Sequence, residues 1–565
     1  MQAPGPYEYS SGAPQLEHHN VSAASHTRLF PDPIQAGLQR GWKVMDAARD
    51  PIPAQLEADV VIIGTGAGGG ISAEMLARAG LSVLMIEEGP LRSSRDFDMR
   101  EATAYPTLYQ ESAARKTADK AINILQGRCV GGSTTVNWTS SFRTPEATLR
   151  FWADRYRLDD YSPQLLAPWF EQAEARLGIA PWPVPPNENN ALLQRGAQAL
   201  GIPVADIARN VRGCANLGYC GMGCPTNAKQ SMLVTTLPAA LDAGAGLITR
   251  ARAQHLTRRG RRVESLHLQL LDADGLRPTG QSVVVRARHF VVSGGAINSP
   301  ALLMRSQAPD PLRIAGARTF LHPVVITIAD FEQAVNAHEG APQTVYSDHF
   351  LGTQAIDGPL GYKLEAPPLH PVLFATNLAG FGLSHAAAMQ RFTHTHALLA
   401  LMRDGFHPAS QGGQVHLRAD TTPVLDYPVD PIVLEAAQRA LRSMAEIQFA
   451  AGARSVTLGH ERALPQTSMT ALDAHLNTLL PLQPLETRLA SAHVMGGCAM
   501  SGDDRLGLVR PDGLHHHLDN LSVHDGSVFP TSIGANPQLS IYGIVARMSS
   551  GLIAQLTGRT GVRLA

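Results

Sequence analysis

The chain lacks the features that mark several broad classes of protein. Its 565 residues carry 47 Lys and Arg against 48 Asp and Glu, a formal net charge of -1. No basic field recommends nucleic acid, and no acidic tail recommends a basic partner. The one basic cluster, Arg258, Arg259, Arg261 and Arg262 around Gly260, reads as the solvated tip of a hairpin between two strands. No run of about 18 uninterrupted apolar residues occurs, so no transmembrane helix is expected. The opening MQAPGPYEYSSGAP has no basic start, no apolar core and no twin arginine, which predicts a cytoplasmic protein. Cysteine is scarce, and an odd count of five in such a chain does not read as a disulfide framework. Internal repeats and long low-complexity tracts are absent.

What the chain does have is length and one well-ordered stretch. It is too long for a single ordinary core and predicts about two domains. Residues 1–57, rich in Pro, His and Gln, read as an N-terminal arm with a helix near Asp32 to Ala47. From Asp59 to Gly89 the sequence runs DVVIIGTGAGGGISAEMLARAGLSVLMIEEG. Val60 to Ile63 suit a buried parallel strand, Gly64, Gly66 and Gly69 follow in GxGxxG spacing, and a helix runs on to Gly80. Leu81 to Ile86 supplies a second strand ending at Glu87. Gly64 permits the turn, Gly66 lets backbone N–H groups approach a pyrophosphate, and Gly69 lets helix and strand pack closely. Glu87 stands where a ribose hydroxyl needs an acceptor. The fold class is therefore α/β with a Rossmann-like dinucleotide-binding unit.

A second glycine-rich run, GRCVGGSTTVN from Gly127 to Asn137, suits a loop that passes close to a flat or phosphorylated ligand. With VVSGGAINSPALLMRS at 291–306, SAHVMGGCAM at 491–500 and VHDGSVFPTSIGANPQLSIYGIVAR at 523–547, it resembles the ordered motifs of the glucose-methanol-choline (GMC) oxidoreductases. That resemblance implies an FAD-binding domain at 58–316, with cap and loop segments at about 90–225. It implies an inserted α+β substrate domain of antiparallel sheet and helices at 317–489, and a return at 490–565 that carries the catalytic pair. Cofactor contacts then fall to Gly64, Gly66, Gly69, Glu87, Gly127, Arg128, Gly131, Gly132, Ser133, Asn137, Asp525 and Gly526. Val136 occupies the place where some relatives carry a flavin-tethering His, which implies FAD held without a covalent bond.

The resemblance places the chemistry at His493 and Asn536. Alcohol oxidation needs a base for the hydroxyl proton, and an imidazole titrating near neutrality is the expected one. An amide can orient the substrate oxygen without competing for that proton. Asn536 before Pro537 also reads as a helix N-cap, with Gln538 to Leu556 as the helix. Cys214, Cys220 and Cys224, closed by Pro225, are spaced like ligands of an iron–sulfur cluster or form a structural loop or surface disulfide. The resemblance is to the long-chain-alcohol-oxidase-like and dehydrogenase branch. It implies a hydrophobic primary alcohol as substrate, with O2, a quinone or a cytochrome as electron acceptor, and a non-redox hydroxynitrile-lyase chemistry on the same fold as the rival.

Overall fold

A computed structural model describes residues 30–564, and its main compact unit is Asp32–Ala565. The first sheet runs in the order Lys43–Asp46, Gly246–Thr249, Val83–Ile86, Gln55–Ile63, Pro278–Val292, Arg262–Leu271 and Ala251–Arg259. The first four strands and the end of the fifth pair in parallel, and Leu521–Val523 adds in parallel beside Phe290–Val292. Val60, Val61 and Ile62 are fully buried there, as a continuous apolar run with parallel neighbours on both sides requires. The last two strands form an antiparallel hairpin that turns at Gly260, which has φ +59°. The arginines around it lie at that turn.

The N-terminal arm differs from its expected form. Residues 1–29 lie outside the described residues, but the helix is short, Pro33–Gln39, with the Asp32 carboxylate accepting from Ile34 N and Gln35 N. Beyond it, Lys43–Asp46 is a strand in register with Gly246–Thr249. Gly41 at φ +90° ends the helix, and Val44 and Met45 then pack against the first core. This part of the arm is an edge of the first sheet.

The second sheet is mostly antiparallel, in the order Ile122–Ile124, Leu489–Ser491, Val324–Asp330, Thr395–Met402, Tyr362–Glu365, Val345–Ser347 and Ala205–Asp206. Two of these strands lie outside 317–489. The helix Pro431–Ala450 covers one face, and its apolar stripe of Val433, Ala437, Leu441 and Met444 joins the second core. Alternation along Val324–Asp330 sends Val325 and Ala329 into that core, while Val324, Ile326 and Ile328 face a cavity on the other side.

Among the described residues one helix, Gln538–Thr557, has the length and apolarity to cross a membrane. Most of it is buried inside the protein, packed on the helices Ala67–Arg78 and Pro163–Leu177.

Candidate functional site

One cavity of about 1820 Å³ runs from the glycine turn of the first sheet to the open face of the second. Gly64, Gly66, Glu87, Gly127, Arg128, Gly132, Ser133, Asn137, Asp525, Gly526, His493 and Asn536 all line it. Gly69 and Gly131 do not. Gly69 lies behind the turn, where a Cβ would stand 2.0 Å from Gly64 O, so its glycine serves helix–strand packing.

The nucleotide end is built from backbone. Gly64 takes φ +102°, and Gly66 caps the helix Ala67–Arg78, whose first residues face the cavity. A Cβ on Gly66 would meet only Gly132 Cα, at 3.9 Å, so the space before it is open to a ligand. Gly132, at φ +54°, approaches so closely that its own Cβ would be 2.8 Å from Gly66 Cα. A glycine pair with bare backbone at a helix N-terminus fits a pyrophosphate. Glu87 accepts from Thr65 N at 3.1 Å, Thr65 Oγ1 at 2.6 Å and Gly89 N at 2.9 Å. It therefore braces the turn while facing the cavity, and burial raises its pKa. Beside it, burial pulls the Glu88 carboxyl up, but Arg128 and Arg252 outweigh burial and bring it down to about 2. Asp525 ties two motifs together, accepting from Gly295 N at 2.8 Å and Ser299 Oγ at 2.5 Å through Oδ2, and from Ser527 N at 2.8 Å through Oδ1.

The other end joins the expected His493 and Asn536 to three buried side chains that the sequence did not announce, His322, Lys363 and Glu365. His493 Nδ1 lies 3.1 Å from Nδ1 of His322, a fully buried residue whose Nε2 has no partner. Asn536 Nδ2 donates to Glu365 Oε2 at 3.2 Å, and its Oδ1 is left unpaired. Glu365 Oε1 is 3.9 Å from Lys363 Nζ, with the two residues 0% and 2% exposed. Lys363 also sits on the Phe142 ring, 2.9 Å from its centroid, a cation–π contact. Burial pushes Lys363 down to about 7 and raises Glu365, each against the attraction of the other.

Two expectations are corrected here. His493 does not titrate near neutrality, since burial first and the Lys363 charge second push it down to about 3. Asn536 is not the N-cap of the last helix. Pro537 holds that place, and the Asn536 amide reaches across to Glu365 instead.

The three clustered cysteines stay apart from this cavity and have local partners. Cys214 Sγ accepts from Asn216 N at 3.4 Å, Cys220 Sγ is 3.8 Å from Arg209 Nη2, and Cys224 Sγ is 3.5 Å from Thr226 Oγ1. All three are free thiols, and among the described residues no three His, Cys, Asp or Glu are grouped to hold a metal. Their loop nevertheless touches the site through Lys229. That buried ammonium donates to Cys220 O, Thr135 O and Asn137 O.

Comparison with known proteins agrees with this architecture. Two descriptions of the GMC oxidoreductases match, the N-terminal one over residues 105–324 and the C-terminal one over 408–544. An uncharacterised GMC-type oxidoreductase of Sinorhizobium fredii is 30% identical, over 88% of this chain and 95% of its own. Long-chain-alcohol oxidase FAO4A of Arabidopsis thaliana is 28% identical, over 88% of this chain and 68% of its own. Among solved structures, the formate oxidase of Aspergillus oryzae, determined in a study of its FAD modification, superposes with a TM-score of 0.67 at 16% identity, covering 90% of this chain and all of its own.

Proposed function

This chain belongs to the GMC oxidoreductase family of flavoenzymes, and on that premise we propose that it oxidises a neutral, hydrophobic primary alcohol to the aldehyde. The observation that carries the reading is that His493 and Asn536 line the same cavity as the glycine cradle, over a floor of aliphatic side chains. Paired strands supply that floor, with Val324 opposite Leu401 and Ile326 opposite Leu399. Such a floor suits a hydrocarbon chain.

Gly66, Gly132 and the start of the helix Ala67–Arg78 would hold the pyrophosphate of FAD, Glu87 its ribose, and Gly127 to Asn137 the ring. Bound FAD supplies the hydride acceptor. Val136 offers no nucleophile where some relatives tether their flavin, so the cofactor would be held there without a covalent bond. His493 takes the hydroxyl proton. A neutral imidazole has one N–H. With Nδ1–H donated to His322 Nδ1, the lone pair of His493 Nε2 is free to act as base. The depressed pKa keeps that ring unprotonated throughout the neutral range. One N–H of the Asn536 amide is fixed by Glu365, which leaves the other to hold the alcohol oxygen.

Anaerobic mixing with a panel of alcohols tests the reading. Aliphatic and aryl alcohols should bleach the flavin, and reoxidation by O2 or by a quinone then identifies the acceptor. Bleaching by choline or sugars alone would sink the substrate assignment.

A further inference from the structure

The substrate end of the cavity has a wall whose outer surface nothing in the described chain covers. From Ala366 to Gln390 there is no Asp, Glu, Lys or Arg. This stretch folds into two short helices, Pro371–Asn377 and Leu383–Gln390, joined by His385 Nε2 at 3.1 Å from Ala375 O. The first helix is part of the cavity, which Val372, Leu373 and Thr376 line. It is firmly held. The Glu101 carboxylate accepts from Val372 N at 2.6 Å and Leu373 N at 2.9 Å, and Arg488 donates to Thr376 O at 3.0 Å and Leu378 O at 2.9 Å.

The second helix buries none of its side chains. At the tip between the two, Phe381 and Leu383 are 89% and 91% exposed, the highest values for large apolar side chains among the described residues. Val372 and Leu485, both on the cavity lining, are exposed as well. Three exposed apolar side chains on one uncharged stretch, Val372, Phe381 and Leu383, are the kind of surface that marks an interaction site.

We propose that this helical hairpin docks on a phospholipid bilayer, with Phe381 and Leu383 entering the acyl region, so that the cavity takes its alcohol directly from the lipid. The inference rests on the apolar-alcohol reading above. A protein partner would be met by a polar rim around an apolar centre, whereas this stretch carries no formal charge along its whole length. Helices of seven and eight residues are far short of the roughly 20 needed to span a bilayer, so the hairpin lies in the interface. Its apolar surface also continues into the cavity, which joins the docking face to the chemistry. A long-chain alcohol dissolves in lipid far better than in water, and this route spares it an aqueous passage.

The test is flotation of the FAD-loaded protein with neutral phosphatidylcholine vesicles, at low and high ionic strength, beside the double variant Phe381→Ser/Leu383→Ser. The unaltered protein should float at both ionic strengths, because the contact is apolar. The variant should lose about nine-tenths of that binding and turn over vesicle-borne alcohol about tenfold more slowly. It should keep its yellow colour and its rate on a short, water-soluble alcohol, because neither side chain lines the cavity. Unaltered protein that stays behind when vesicles float overturns the proposal. So does the case in which the double substitution only turns a dimer into a monomer, which would make the face a contact between copies. Flotation without turnover of any alcohol keeps the docking and removes the substrate reading alone.

Discussion

The two sheets meet at one cavity and equip it in opposite ways. On the nucleotide side the working groups are backbone: Gly64, Gly66 and Gly132 bring bare peptide up to the ligand, and the carboxylates nearby are braced by Thr65, Arg128 and Arg252. On the substrate side they are side chains brought together from one strand and three loops far apart in sequence: His322 with His493, and the Lys363–Glu365 pair of one strand with Asn536. A backbone site is tolerant of its surroundings and intolerant of a single Cβ. A site of buried polar groups depends on every partner staying in place, since each unpaired group carries its full desolvation cost.

Substitutions on the two sides should therefore fail differently. The largest effect is expected for His493→Ala, which should keep its flavin and lose roughly two to four powers of ten in the reduction rate. Near-normal reduction in stopped flow would remove His493 as the base. Next, Glu365→Leu should slow reduction about a hundredfold at unchanged flavin content, because the Asn536 amide loses its anchor. Glu365→Gln keeps an oxygen acceptor and should cost less than about tenfold. Equal losses in the two would show that Glu365 acts by charge alone.

On the nucleotide side, Gly132→Val puts a β-branched residue at φ +54° against Gly66 and should leave less than about a tenth of the flavin bound. Absorbance of the purified protein reads this directly, and a fully yellow variant would break the contrast between the sides. The smallest effect concerns pH. Lys363, held at about 7, is charged below that value and lowers the basicity of His493. Reduction should speed up by about two- to tenfold as pH rises through 7. Lys363→Met should flatten that rise, and an unchanged slope would assign it to another group.

This contrast also explains what could be read before any coordinates. GxGxxG, the strand before it and the acid after it are local, so residues 59–89 declare their own turn, helix and packing. The substrate side has no such grammar. Tyr362, Lys363, Leu364 and Glu365 alternate in the pattern of a strand with one wet face, yet all four are buried, because the second sheet and the strand's neighbours enclose both faces. His322 carries no signal at all until Thr319–Phe320 pairs with Met495–Gly496 and brings it beside His493. The Asn536-Pro537 pair misleads for a similar reason. Capping is the common local use of that dipeptide, and only the tertiary partner Glu365 overrides it.

The strand pairings carry a consequence for biosynthesis. Leu521–Val523 closes on Phe290–Val292, and Leu489–Ser491 closes on Ile122–Ile124, so each sheet waits for a segment made hundreds of codons after its partner. Until those late segments are made, the earlier strands of each sheet wait with an open edge. An edge left unpaired for that long is exposed to pairing with another chain, so refolding from denaturant should grow less efficient as protein concentration rises.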